Sequence, residues 1–204
     1  MKIAPASSRF SRFKSFGPSA GKINNLLVFT LVNSVWGVVY GMIGPFYALY
    51  VAKVSGGFEK LGFAFSIMIL VQAAASYYVG RYSDKLGRKP FLFAAAYMDA
   101  IILFCYTIAD QTYQIYILQA FLGITNAVSM TIRGSLLADI TKVEKRGLEI
   151  GRFNALVSVF TAFGFTLGGY LAKYFGLKSI FYFGSGIIVC STVLLFFISE
   201  PGDE

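Results

Sequence analysis

Six apolar stretches, at about 26–51, 61–79, 91–109, 113–138, 153–172 and 180–198, divide this chain of 204 residues. Most approach the ~20 residues that a helix needs to cross a bilayer. Apolar residues make up 56% of the sequence and charged residues 14%, which is more apolar surface than a soluble core can hide. In hydrocarbon every backbone polar group needs a protein partner, so only helices and closed barrels cross. The ~10-residue alternation of a membrane barrel is missing. The predicted fold class is therefore all-α membrane, with six transmembrane helices over 26–199.

The formal charge of +8 invites a nucleic-acid reading, since clustered Lys and Arg neutralise phosphates. Here the bases gather between the apolar stretches, as in membrane proteins, and no nucleic-acid partner is expected. Residues 1–25 hold Lys2, Arg9, Arg12, Lys14 and Lys22 with no acid. The second connection adds Arg81, Lys85, Arg88 and Lys89, and the fourth adds Lys142, Lys145, Arg146 and Arg152. That is thirteen bases on one side against four, Lys53, Lys60, Lys173 and Lys178, on the other. The excess predicts an N-terminus inside and, after six crossings, the short acidic tail 200–204 inside as well, in the plasma membrane. The serines of 1–25 also give that segment the composition of a transit peptide, so it reads either as that or as a basic cytosolic tail without fixed structure.

Histidine is absent, and Cys105 and Cys190 lie far apart in apolar stretches, so no metal, cofactor, disulfide or thiol-catalysis pattern follows. An enzyme is not expected.

The second connection runs Gly80-Arg81-Tyr82-Ser83-Asp84-Lys85-Leu86-Gly87-Arg88-Lys89-Pro90. It reads as a tight helical hairpin in which Gly80 ends a helix in the left-handed conformation, Gly87 turns and Pro90 opens the next helix. Asp84 stands among bases and can accept from Arg88 or from a helix N-terminus. A solvated loop that only sets topology fits the same residues. This stretch resembles the signature loop between the second and third helices of the major facilitator superfamily, G-x-L-A-D-R-x-G-R-K. Gly80, Asp84, Gly87, Arg88 and Lys89 fall on its defining positions, with Tyr82 and Lys85 as mild departures.

A second stretch, Arg133-Gly134-Ser135-Leu136-Leu137-Ala138-Asp139 followed by Glu144-Lys145-Arg146-Gly147 and Gly151, is similar to that family's passage from helix four to helix five. The resemblance implies one six-helix half of a transporter, built from inverted repeats of three plus three helices. It implies a gating latch at Asp84 and Arg88, with Asp139 at the same level and Arg88 or Arg133 shared between the two acids. Two departures weaken any inference of proton coupling or export direction: Gln119 stands at the family's helix-four arginine, and Phe165 replaces proline in Gly164-Phe165-Thr166-Leu167-Gly168-Gly169.

Polar groups inside apolar stretches are costly and mark pathways or packed interiors. Gln72 is one such group. By resemblance helices one and four line the cavity, so Asn33, Trp36, Tyr40, Gln119 and Asn126 are candidates for contact with solute. Asp99 and Arg133 are candidates for holding a proton or a charge. Gly37 with Gly41, Gly44 before Pro45, and Gly164 with Gly168 are spaced for close helix packing, and Pro45 for a kink. The function expected is secondary active transport of a small solute by alternating access; the alternative is a membrane scaffold or regulator that does not transport. Because the family works as two halves, the expected partners are lipid, the solute, and a second six-helix half, either another chain or a second copy.

Overall fold

The computed structural model describes residues 20–86 and 88–193, but not the side chains of residues 20–25, Asp84, Leu86 and Lys89. Within these bounds the helices are α1 Ala20–Ser55, α2 Phe58–Leu86, α3 Lys89–Ile108, α4 Thr112–Ile140, α5 Arg146–Phe175 and α6 Leu177–Thr192, with a single 3-10 turn at Val143–Lys145. The first five are long and apolar enough to cross a membrane. The last is shorter, 16 residues, and the remainder of its expected stretch lies outside the described residues, as do most of the N-terminal segment and the acidic tail.

The helices are tied by very short connections. Gly56 and Gly57, with φ of 82° and 155°, turn the chain between α1 and α2, and Gly176, with φ of 81°, does so between α5 and α6. The expectation that Gly80 ends a helix is overturned. α2 continues through Gly80 to Leu86, and Gly80 packs beside Thr131 of α4, where a Cβ would lie 3.8 Å from the threonine methyl. A glycine inside a helix that lies against a neighbouring helix needs no left-handed turn. Pro90, by contrast, sits in the first turn of α3, where its missing N–H costs nothing.

Contacts between helices define two layers. The front layer runs α5, α1, α4, α2; α6 lies behind α1 and α5, and α3 lies behind α4 and against α6. Each half of the chain crosses into the other: α1 pairs with α5 and α2 with α4, the exchange that a pseudo-two-fold axis relating α1–α3 to α4–α6 produces. Small residues allow the closest of these approaches. A Cβ on Gly41 would collide with the Thr161 carbonyl, one on Gly164 with that of Val38, and one on Gly168 with that of Met42. α2 and α4 meet the same way at Gly123, where a Cβ would strike the Met68 carbonyl. Pro45 interrupts no helix, although it removes the donor that the Gly41 carbonyl would otherwise receive.

At the Ser55 end the bundle is sealed by aromatics. The Tyr50 hydroxyl donates to the carbonyls of Tyr106, in the last turn of α3, and of Ala109, the residue that caps it, at 2.5 and 2.9 Å. Tyr47 and Tyr106 share a hydrogen bond of 2.9 Å between their hydroxyls, and Phe181 of α6 stacks on Tyr106 with ring centroids 5.4 Å apart.

Candidate functional site

At the opposite end, α4 finishes one residue after Asp139. A carboxylate there faces the negative end of the helix dipole, so it needs a cation brought from elsewhere. Arg88, the N-cap residue of α3, supplies it: its guanidinium donates to Asp139 Oδ2. With the two side chains 25% and 49% exposed, the pair is solvated and contributes little to stability. The side chains of Asp84 and Lys89, and Gly87 as a whole, lie outside the described residues. Arg133 does not join this group. It stands over the ring of Phe153 on α5, 5.3 Å from the centroid. α4 carries no base in its last turn, and Arg146 of α5 donates to the Ala138 carbonyl at 2.9 Å, while Glu149 accepts from the Lys142 backbone N–H.

The polar residues of the spans form a column between α1 and α4. Tyr40 and Tyr47 lie seven residues apart on α1, and Gln119, Asn126 and Arg133 at the same interval on α4, so each set shares a helical face. The two helices run antiparallel. Gln119 therefore lies beside Tyr47, and Arg133 lies within electrostatic range of Tyr40. Between these levels the Tyr40 hydroxyl donates to Asp99 Oδ2 of α3 at 2.8 Å, and the Thr125 hydroxyl lies alongside the same carboxylate. Asp99 is buried, 6% exposed, and its Oδ1 has no hydrogen-bond partner of good geometry among the described residues.

The five proposed solute contacts occupy three kinds of position. Asn33 is buried and donates back to the Phe29 carbonyl, with its own carbonyl oxygen unpartnered; Gln119 is fully buried, both amide atoms without a well-formed partner. Trp36 points away from α4, its indole N–H donating to Ser191 of α6 at 2.9 Å. Tyr40 and Asn126 keep some exposure, and Asn126 donates to the Met68 thioether of α2 at 3.6 Å. Gln72 makes a similar contact in the other sense, donating to Met130 of α4 at 3.0 Å. Among the described residues no three His, Cys, Asp or Glu gather to hold a metal ion. Thr125, Tyr47 and Tyr106 are not marked out by the sequence alone; the seven-residue interval between Tyr40 and Tyr47 was the available signal for one of them.

The sequence pattern of the Major Facilitator Superfamily matches residues 28–204, which is nearly all of the described helices. The chain belongs to that family. An uncharacterised MFS-type transporter of Bacillus subtilis (strain 168), YitZ, is 30% identical over 154 residues, covering 76% of this chain and 94% of YitZ. The multidrug resistance protein MdtG of Proteus mirabilis (strain HI4320) is 32% identical over 170 residues, and MdtG of Salmonella choleraesuis (strain SC-B67) 29% over 192. These matches cover 80% and 90% of this chain but only 42% and 47% of the relatives, so the chain spans less than half the length of each MdtG. Against the family's patterns, Gln119 is packed in the interior where proton-linked members often carry an arginine, and Phe165 stands in place of proline within α5, which runs to Phe175.

Proposed function

We propose that this chain forms the N-terminal half of a secondary active transporter that moves a small solute by alternating access across the plasma membrane, with both termini in the cytoplasm. The observation that carries the reading is the polar column of α1 and α4 in the middle of the front layer, flanked by helices with unused apolar faces. In the most apolar window of α1, 56% of residues are buried, against 17% in α2 and 11% in α5. Phe63, Leu70 and Tyr77 on α2, and Val159, Phe163 and Tyr170 on α5, are exposed. A second six-helix half laid on this face would enclose the column and make a shared path near the midplane. The name of MdtG supports small organic compounds as cargo. The Arg88–Asp139 pair, with Asp84 by resemblance, serves as the latch.

The test is flux in vesicles. The purified chain in a proven monomeric state is expected to give no saturable uptake or efflux, because a lone half has one wall of the cavity without its opposite wall. Flux is expected from the assembly with a second half, or from a crosslinked dimer of this chain. Saturable flux from the monomer would overturn the two-half mechanism, and an assembly that never moves solute would leave the scaffold reading.

Orientation is checked by cysteine labelling in a Cys105→Ser, Cys190→Ser background. Lys85 and Gln111 are exposed at opposite ends of the bundle, whereas Ser83 is 4% exposed and makes a poor probe. In intact cells an impermeant maleimide is expected to react with Gln111→Cys and spare Lys85→Cys; the reverse pattern would invert the topology.

A further inference from the structure

We infer that Arg133 is the recognition site for the acidic head of the transported solute, and that the solute class is an organic anion with an apolar or aromatic body. The inference rests on the transport reading above and deepens it.

Of the eighteen bases in the chain, Arg133 alone falls inside one of the six apolar stretches, and of the ten acids Asp99 alone does. A guanidinium at that depth is expected either to pair with an acid or to reach the membrane surface. Among the described residues no acid pairs with Arg133, and its side chain is only partly exposed. Helical side chains lean toward the N-terminus of their helix, and on α4 that direction leads away from the nearer end of the bundle and toward the Tyr40 level. The guanidinium accordingly lies over the Phe153 ring and within electrostatic range of Tyr40. No carboxylate of the described residues lies within 4 Å of it. Asp99, the acid best placed to serve, has its Oδ2 engaged by Tyr40, which stands between the two charges.

A partly buried cation with no acid beside it among the described residues calls for a ligand to supply that charge. A carboxylate, phosphonate or sulfonate would accept a two-pronged hydrogen bond from the guanidinium. The surroundings fix the rest of the ligand. Phe153, 2% exposed, stacks on Phe29 of α1 with centroids 5.7 Å apart and planes inclined by 11°. The same ring borders a cavity of about 280 Å³ at the end where α4 finishes, lined also by Thr30, Thr141, Leu156 and the charged Lys142, Glu149 and Arg152, with two bases against one acid; Arg133 reaches this cavity only through the Phe153 ring. An aromatic wall beside a guanidinium suits a flat or apolar body attached to the acid. Asp99 works against such a ligand when ionised, since its unpartnered oxygen repels a second anion nearby.

Binding, without flux, tests this in the purified transport-competent assembly in detergent, by equilibrium dialysis of three probes with one ring system: 2-naphthoate, 2-naphthylmethylammonium and 2-naphthylmethanol. Naphthoate is expected to bind at least about tenfold more tightly than the other two. Arg133→Gln should erase that preference, Arg133→Lys should keep part of it, and Asp99→Asn should tighten naphthoate binding. The last arm, a gain, is one that a merely structural arginine would not produce and that stands even if Arg133→Gln fails to fold. Equal binding of the three probes, a preference that survives Arg133→Gln, or an Asp99→Asn protein with unchanged affinity would overturn the assignment. So would a crosslink showing that an acid of the second half already neutralises Arg133. Flux without anion preference would sink this inference alone; anion preference without flux would sink only the transport reading.

Discussion

Arg88→Asp and Asp139→Arg are each expected to cut solute flux by the assembled transporter at least about tenfold, and the double exchange to recover most of it. A solvated ion pair contributes roughly 0–1 kcal/mol to folding, so neither single variant should change the amount of protein in the membrane by much. That gap separates a latch from a structural bridge: a bridge would lose protein and flux together, by similar small factors. If the single reversals keep full flux, or the double exchange recovers none, Arg88 and Asp139 do not form the moving contact. Asp84→Asn carries the same expectation on the strength of the family motif.

Gly164→Leu should abolish the compact bundle. The position has no room: a Cβ alone would meet the carbonyl oxygen, carbonyl carbon and Cα of Val38 on α1, all backbone atoms that cannot rotate away. Overpacking a well-packed core costs about 1–3 kcal/mol where side chains can adjust, and here two helices must separate instead. The expected result is loss of the folded form in detergent, read by proteolysis and thermal aggregation. Gly151→Leu, on the same helix but with nothing within 4 Å of its Cβ position, serves as the control and should behave as the parent. A folded, protease-resistant Gly164→Leu protein would show that α1 and α5 are not held at this distance in the membrane.

The spans were legible because bilayer thickness imposes a length on each apolar stretch, and the structure puts a helix on all six. Their ends were less so. α2 and α5 extend past the apolar stretches, to Leu86 and from Arg146, since charged residues such as Arg81 and Glu149 sit comfortably in helical turns beyond the hydrocarbon. Gly80 misled because a glycine before a basic run looks like a helix stop, and only the neighbour at Thr131 reveals its packing role. The polar residues of the column were identifiable one by one by their cost in hydrocarbon. Which of them meet depends on the antiparallel register of α1 against α4, a relation carried by packing between distant segments and by no local pattern. Trp36 shows the limit: its place on α1 suggests the cavity, yet its partner, Ser191, is 155 residues away on the rear helix.

The crossed pairing of α1 with α5 and α2 with α4 also bears on how such a chain is made. The first two helices enter the membrane before either of their partners exists, so Gly37 and Gly41 must wait among lipid tails while more than a hundred residues are still to be synthesised. Each early span has to persist by itself as a hydrogen-bonded cylinder, which its length and apolarity permit. Neither triplet closes its own contacts. A chain halted after α3 would expose the glycine seam of α1 and become a target for quality control, and a bare triplet could satisfy that seam only by exchanging helices with an oppositely inserted copy of itself.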